Sequence, residues 1–275
     1  MNNYPGNNLY GYVESLDDGG TSSYNGLLLA VTKRLSKGLS ASLNYTWSHC
    51  IGDLSIGDST GNAGAGLAIP NDRRHDRSNC QSNEIGGTFS SDRRQIFNAT
   101  VVYQTPRISN ALANRFLSDW KVAGIYHAMS APWVTASLST DVSLTADSAA
   151  NQRPVQVLPN PLCANPGPTC WINPAAFANP APGTLSAVGR DNIPGPAFWQ
   201  IDVAISRAFR IREGHTIEFR AEAFNLTNSF RAGISLPSAA AGASGVSTTL
   251  GTSTFGTITS ALDPRILQLA LKYTF

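Results

Sequence analysis

An all-β fold, an antiparallel transmembrane β-barrel segment of about eight long strands, is what three features of the sequence predict. First, apolar and polar residues alternate over stretches longer than the average strand of about 5–6 residues. The C-terminal stretch shows this best: Leu267, Leu269, Leu271, Tyr273 and Phe275 share one face, and Gln268, Ala270, Lys272 and Thr274 share the other. A period of two marks a strand, and a tilted strand needs about 9–11 residues to cross a bilayer. Second, charged residues are only 14% of the 275, against about 25% in soluble domains. Mean hydropathy is nevertheless −0.12, and no apolar run approaches the ~18 residues of a membrane helix. Third, tight turns alternate with long loops, the pattern of short periplasmic turns and long extracellular loops in an outer-membrane barrel.

Taken in order, Leu9 to Leu16 is a first, weakly patterned strand, closed by the turn Asp17–Ser23. Tyr24 to Leu35 follows, with Leu27, Leu29 and Val31 on one face. The tight turn Ser36–Gly38 leads into Leu39 to His49, the cleanest alternation in the chain. There Leu39, Ala41, Leu43, Tyr45 and Trp47 oppose Ser40, Ser42, Asn44, Thr46 and Ser48. That polar face is too uniformly small and hydroxylated for a dry core and suits a wet lumen. After a long loop (50–91), Arg94 to Gln104 turns Phe97, Ala99, Val101 and Tyr103 outward. A moderate connection (105–117) leads to Trp120–Met129, where Trp120, Val122 and Tyr126 oppose Lys121 and His127.

Residues 130–196 read as a second long loop, with a short strand at Val134–Leu138. Phe198 to Arg210 sets Ile201, Val203, Ile205 and Phe209 against Gln200, Asp202 and Ser206. A tight turn at 212–214 precedes Thr216 to Asn225, whose inward face carries Glu218, Arg220 and Glu222. A third long loop (226–262) precedes the final strand. With Asp202 and Lys272, those three residues form the expected lumenal charges.

The remaining features mainly exclude functions. A net charge of +2 gives no reason to expect a nucleic-acid partner. His49, His75, His127 and His215 are scattered without ligand spacing, so no metal or cofactor is expected. No nucleophile-elbow, phosphate-loop or dinucleotide motif appears, and an enzyme is not expected. Asp72–Arg77 and Asp92–Arg94 read as loop and rim electrostatics. The sequons at Asn44, Asn98 and Asn225 read as lumen-facing polar residues. Cys50, Cys80, Cys163 and Cys170 allow three disulfide connectivities. Pro166-Gly167-Pro168 favours a turn that brings Cys163 to Cys170, and Cys50–Cys80 is its companion. The N-terminal residues, from Met1 to Asn8, lack the basic and apolar regions of a signal peptide.

The series Tyr24-Asn-Gly-Leu-Leu-Leu29, Thr32-Lys-Arg-Leu-Ser-Lys-Gly-Leu-Ser40 and Asn44-Tyr-Thr-Trp-Ser-His49 resembles the barrel of TonB-dependent receptors of the Oar-like group, which bear a carboxypeptidase-regulatory-like domain. So do Asp92-Arg-Arg94, Asn173-Pro-Ala-Ala-Phe177, Gly189-Arg190, Phe219-Arg-Ala-Glu-Ala-Phe-Asn-Leu-Thr-Asn228, Phe255-Gly-Thr-Ile-Thr259 and Asp263-Pro-Arg265. The resemblance implies a plugged barrel of about 22 strands, of which residues 1–275 are one C-terminal segment. Plug, signal sequence and N-terminal domain are expected outside it. It also implies energy-coupled solute uptake, without naming the solute.

The partners expected are outer-membrane lipid, the barrel-assembly machinery, which reads the terminal Tyr273 and Phe275, and TonB only through a plug. Two alternatives are a self-contained eight-stranded outer-membrane anchor or adhesin and, in another class, a soluble secreted β-sandwich binding glycans.

Overall fold

The computed structural model describes residues 21–53, 77–80, 92–110, 114, 116–144, 152–233 and 245–275. Seven long strands form one sheet: β1 (Ser22–Ser36), β2 (Leu39–Gly52), β3 (Gln95–Gln104), β4 (Trp120–Met129), β5 (Phe198–Arg212), β6 (His215–Phe224) and β7 (Ile266–Thr274). They lie side by side in chain order, each antiparallel to the next. The two-residue strand Ser78–Asn79 adds to the end of β2. All seven correspond to strands expected from alternation; the expected strand at Leu9–Leu16 lies outside the described residues, as does most of the Asp72–Arg77 run.

Register explains why the alternation is so regular. Leu29, Tyr45, Phe97, Ala128 and Trp199 form one cross-strand row, and Val31, Leu43, Ala99, Tyr126 and Ile201 form the next on the same face. A one-residue slip would carry every one of these side chains to the opposite face. This face packs against nothing. Leu29 is 52% exposed, Leu267 67% and Leu269 77%. Apolar exposure on that scale is untenable in water but natural against lipid. β1 and β7 are the sheet's two edges among the described residues, and the sheet is open there.

The tight turns follow from local chemistry. Lys37 and Gly38 both have positive φ, 50° and 77°, the two-residue hairpin turn whose twist matches its strands. A Cβ at Gly38 would also press on the Gln104 carbonyl oxygen. At the β5–β6 turn Gly214 has open space around it, and its φ of 76° alone favours glycine.

The long connections are not the uninterrupted loops expected from sequence. Their described parts fold into a cap on one rim of the sheet. Trp133–Val134 pairs with Ile193–Pro194, Val155–Gln156 with Phe177–Ala178, and Leu162–Gly167 with Cys170–Ile172. The expected strand at Val134–Leu138 is split: its second half, Ser137–Leu138, pairs in parallel with Thr249–Leu250. The cap holds the buried apolar cluster of the described residues: Val134, Ala136, Ile172, Ala176, Phe177, Ile193, Val246 and Phe255.

Several motif residues have structural roles in this cap. Asn173 caps the turn Pro174–Ala176 by accepting from the Ala175 N–H. Gly256, at φ 78°, lets its carbonyl accept from both the Trp171 and Ile172 N–H groups. A Cβ there would meet the Ile172 carbonyl oxygen.

Candidate functional site at the polar face and its two rims

The polar face of the sheet carries a row in register, Asn44, Asn98, His127 and Gln200, across β2 to β5. Two sequon asparagines therefore lie side by side in the wall. The face is less uniformly polar than alternation in β2 suggested. Ile96, Val102, Ile125 and Met129 also point this way, opposite Thr46, Ser40, Thr100 and Ile96. The His127 ring meets Phe198 edge-on at 5.3 Å, and its Nε2 is buried without a hydrogen-bond partner.

The expected lumenal charges fall into two groups. Arg220 and Glu222 form an ion pair at 2.5 Å, and Glu218 lies directly across from Lys272. Asp202 belongs instead to a network at the cap rim. Its Oδ1 accepts from Gln200 Nε2 at 2.6 Å and from the Asn225 N–H at 2.8 Å. Arg231 reaches down from the cap to donate to Gln200 Oε1 and to the Asp263 carbonyl. Its guanidinium also lies 5.9 Å from the Phe198 ring. Burial lowers the Arg231 pKa, while Asp202 and Asp263 favour its charged form.

Asn225 is a correction: it is not a free lumenal side chain but a buried turn residue at φ 50°. Its amide oxygen accepts from Ser229 N–H and Oγ. Sequence reasoning missed Arg231, whose neighbours carry no period that would mark it.

A second network ties the β2–β3 corner to the cap. Cys50 is bonded to Cys80, and Cys163 to Cys170. The Asp92 carboxylate accepts from the Cys50 N–H at 2.7 Å and holds Arg94 at 2.8 Å. Arg94 donates to Asn79 Oδ1, and Asn79 Nδ2 donates to the Asp191 carbonyl, both at 2.7 Å. Asp191 itself is fully buried. Its Oδ1 accepts from Thr135 Oγ1, while Oδ2 has no hydrogen-bond partner.

Burial raises the Asp191 pKa from the ordinary 3.8 to about 7, against the opposing pull of Thr135, Arg190 and Arg153. A raised carboxyl pKa means that the folded cap holds the proton more tightly than the unfolded chain. The resulting stabilisation is complete below the unfolded pKa near 3.8 and is lost as pH rises through about 7. Hydrogen exchange at the Val134 and Ile193 amides is therefore expected to speed up between pH 5 and 8 more than intrinsic exchange accounts for. Asp191→Asn should flatten that dependence, and an unchanged slope would count against Asp191 as its source.

The opposite rim carries the terminal aromatics. Tyr273 stacks between His215 and Phe275, at 5.8 Å and 5.7 Å. Arg207 was not expected on the apolar face. It lies there with its guanidinium over Trp120 and Phe209, at 5.5 Å and 4.8 Å, and donates to the Phe116 carbonyl. No group of three or more metal-ligating side chains occurs among the described residues.

A sheet of long strands with an unpacked apolar face, a polar opposite face and turns that are short on one rim only has one natural solvent. A model of the family described as "Outer membrane beta barrel domain" matches residues 1–268. The chain belongs to this family. No curated protein and no solved structure matches it. As a bacterial outer-membrane barrel domain, it turns the Leu43 face to lipid, its short turns to the periplasm and its cap outward. The soluble β-sandwich alternative is thereby set aside.

Proposed function

We propose that this outer-membrane domain is barrel wall of a TonB-dependent receptor of the Oar-like group, taking part in solute uptake rather than catalysis. The observation that carries the reading is the ordered motif series from Tyr24 to Arg265. Its members sit at positions with distinct physical demands, such as the cap at Asn173, the close approach at Gly256 and the turn at Asn225. Among the described residues the sheet is open. Six antiparallel pairings make β1 and β7 run in the same sense, so antiparallel closure needs an odd number of further strands between them.

One feature favours the smaller, self-contained anchor: Ile96, Val102, Ile125 and Met129 would help fill an eight-stranded interior. The test is energy coupling in the native bacterium. Uptake of ferric siderophores, cobalamin and oligosaccharides is measured with the reading frame intact, with it deleted, and with TonB deleted. Loss of the same solute in both deletions supports the receptor. A deletion that abolishes surface attachment and leaves all uptake intact would favour the anchor.

Recognition by the barrel-assembly machinery is part of the same proposal. Phe275 is 89% exposed and stacked on Tyr273, so it is available to a partner at no cost to the fold. Deleting it is expected to lower the amount of heat-modifiable barrel in outer membranes severalfold, with synthesis unchanged. Full insertion of the truncated chain would remove this role.

A further inference from the structure

The short-turn rim is basic, and neither barrel closure nor uptake accounts for that charge. The β1–β2 hairpin brings Lys33, Arg34 and Lys37, with no acid between residues 33 and 41. The β5–β6 hairpin brings Arg210 and Arg212 against the single acid Glu213. All five cations are exposed, and none has an ion-pair partner among the described residues. Arg107, on the third short connection, lies 3.7 Å from Asp119. The cap rim is different: there Arg94 is held by Asp92, and Arg231 lies in the field of Asp202 and Asp263.

What surrounds the five cations is apolar. Leu35, Phe209, Ile211, Tyr273 and Phe275 are large, exposed and at the same end of the sheet. Aromatic residues at a strand end mark the membrane–water interface. Lys33, in register with Ala41 on the apolar face, can extend its charged end to headgroup level while its stem stays against the apolar wall, and Arg34, Lys37, Arg210 and Arg212 add charge at the hairpin ends. The two hairpins are separated by the strand steps from β2 to β5, about 14 Å at ~4.8 Å per step. A band that wide suits a layer of anions rather than one small anion.

We propose that Lys33, Arg34, Lys37, Arg210 and Arg212 bind anionic phospholipid headgroups of the periplasmic leaflet and so fix the depth of the barrel at that rim. The attraction is electrostatic, reaches about fivefold per contacted cation at low salt, and weakens as ions screen it.

The protein extracted from outer membranes is reconstituted in phosphatidylcholine vesicles. Spin-labelled phosphatidylglycerol and phosphatidylcholine then report relative association by electron paramagnetic resonance. The wild type should prefer phosphatidylglycerol severalfold at low salt. The preference should collapse toward unity near 1 M salt, where the screening length is about 3 Å. It should also collapse in the variant K33Q/R34Q/K37Q/R210Q/R212Q, with heat-modifiable mobility checking that the barrel is folded. The charge-keeping variant R34K/R210K/R212K should retain it. Equal association of the two lipids with the wild type overturns the proposal, as does full selectivity in the folded glutamine variant. Inorganic phosphate that displaces the lipid more than chloride at matched ionic strength would identify a phosphate site and overturn it equally. Where the glutamine variant fails to fold, the wild-type salt titration and the lysine variant decide.

Discussion

Leu43→Arg is expected to cost the folded barrel about 2–4 kcal/mol, while Asn44→Arg, one residue along, should change stability little. The argument rests on register. Leu43 lies between Val31 of β1 and Ala99 of β3 on the apolar face. It is midway along β2 between Leu39, beside the tight turn, and Trp47, toward the cap rim. A guanidinium at that depth is far from both interfaces and finds only hydrocarbon. Asn44 points to the other face, between Ala30 and Asn98, and is exposed there. Urea titration of folding into lipid vesicles measures both changes. Equal losses at 43 and 44 would mean that the faces are wrongly assigned, whatever the strand boundaries.

The same two residues show why the wall was legible in the sequence. A strand between lipid and lumen meets a different solvent on each side, so every second residue is selected for the opposite property. Leu39, Ala41, Leu43, Tyr45 and Trp47 record one solvent, and Ser40 to Ser48 the other. Where that contrast fades, the reading fades with it. Ile125, across from Thr100 and Asp202 on the polar face, and Arg207, held on the apolar face by two rings and a carbonyl, break the alternation.

The cap was illegible for a different reason. Val134, Ile172 and Ile193 come from distant parts of one long connection and Phe255 from another, and they form its core through pairings only two or three residues long. No window of sequence that short carries a period. Asp191 and Arg231 are invisible to pattern reading because their importance is entirely one of burial and partners far along the chain. The proline turn between Cys163 and Cys170 was readable because its geometry is local.

That contrast gives the cap its own expected result. Ile172→Ala should destabilise the cap by about 2–5 kcal/mol while leaving the seven-stranded wall in place. Ile172 is fully buried and sits where three constraints meet. Its N–H donates to the Gly256 carbonyl at 3.1 Å, its neighbour Trp171 donates to the same oxygen, and Cys170 is bonded to Cys163. Because the bridge at Cys170 and the two N–H groups on the Gly256 carbonyl hold the backbone at Ile172, little of the lost apolar contact can be recovered by collapse around the cavity.

Leu158→Ala, at a residue 42% exposed, is the control and should stay within ~0.5 kcal/mol. The readout is hydrogen exchange at the Trp171, Ile172 and Ile258 amides, compared with the β2–β3 ladder and with heat-modifiable mobility. Faster exchange confined to the cap amides would establish that cap and wall are separate cooperative units. Equal acceleration in the ladder would show instead that the Arg94–Asn79–Asp191 contacts bind the two into one, so that a change in the cap is felt by the wall.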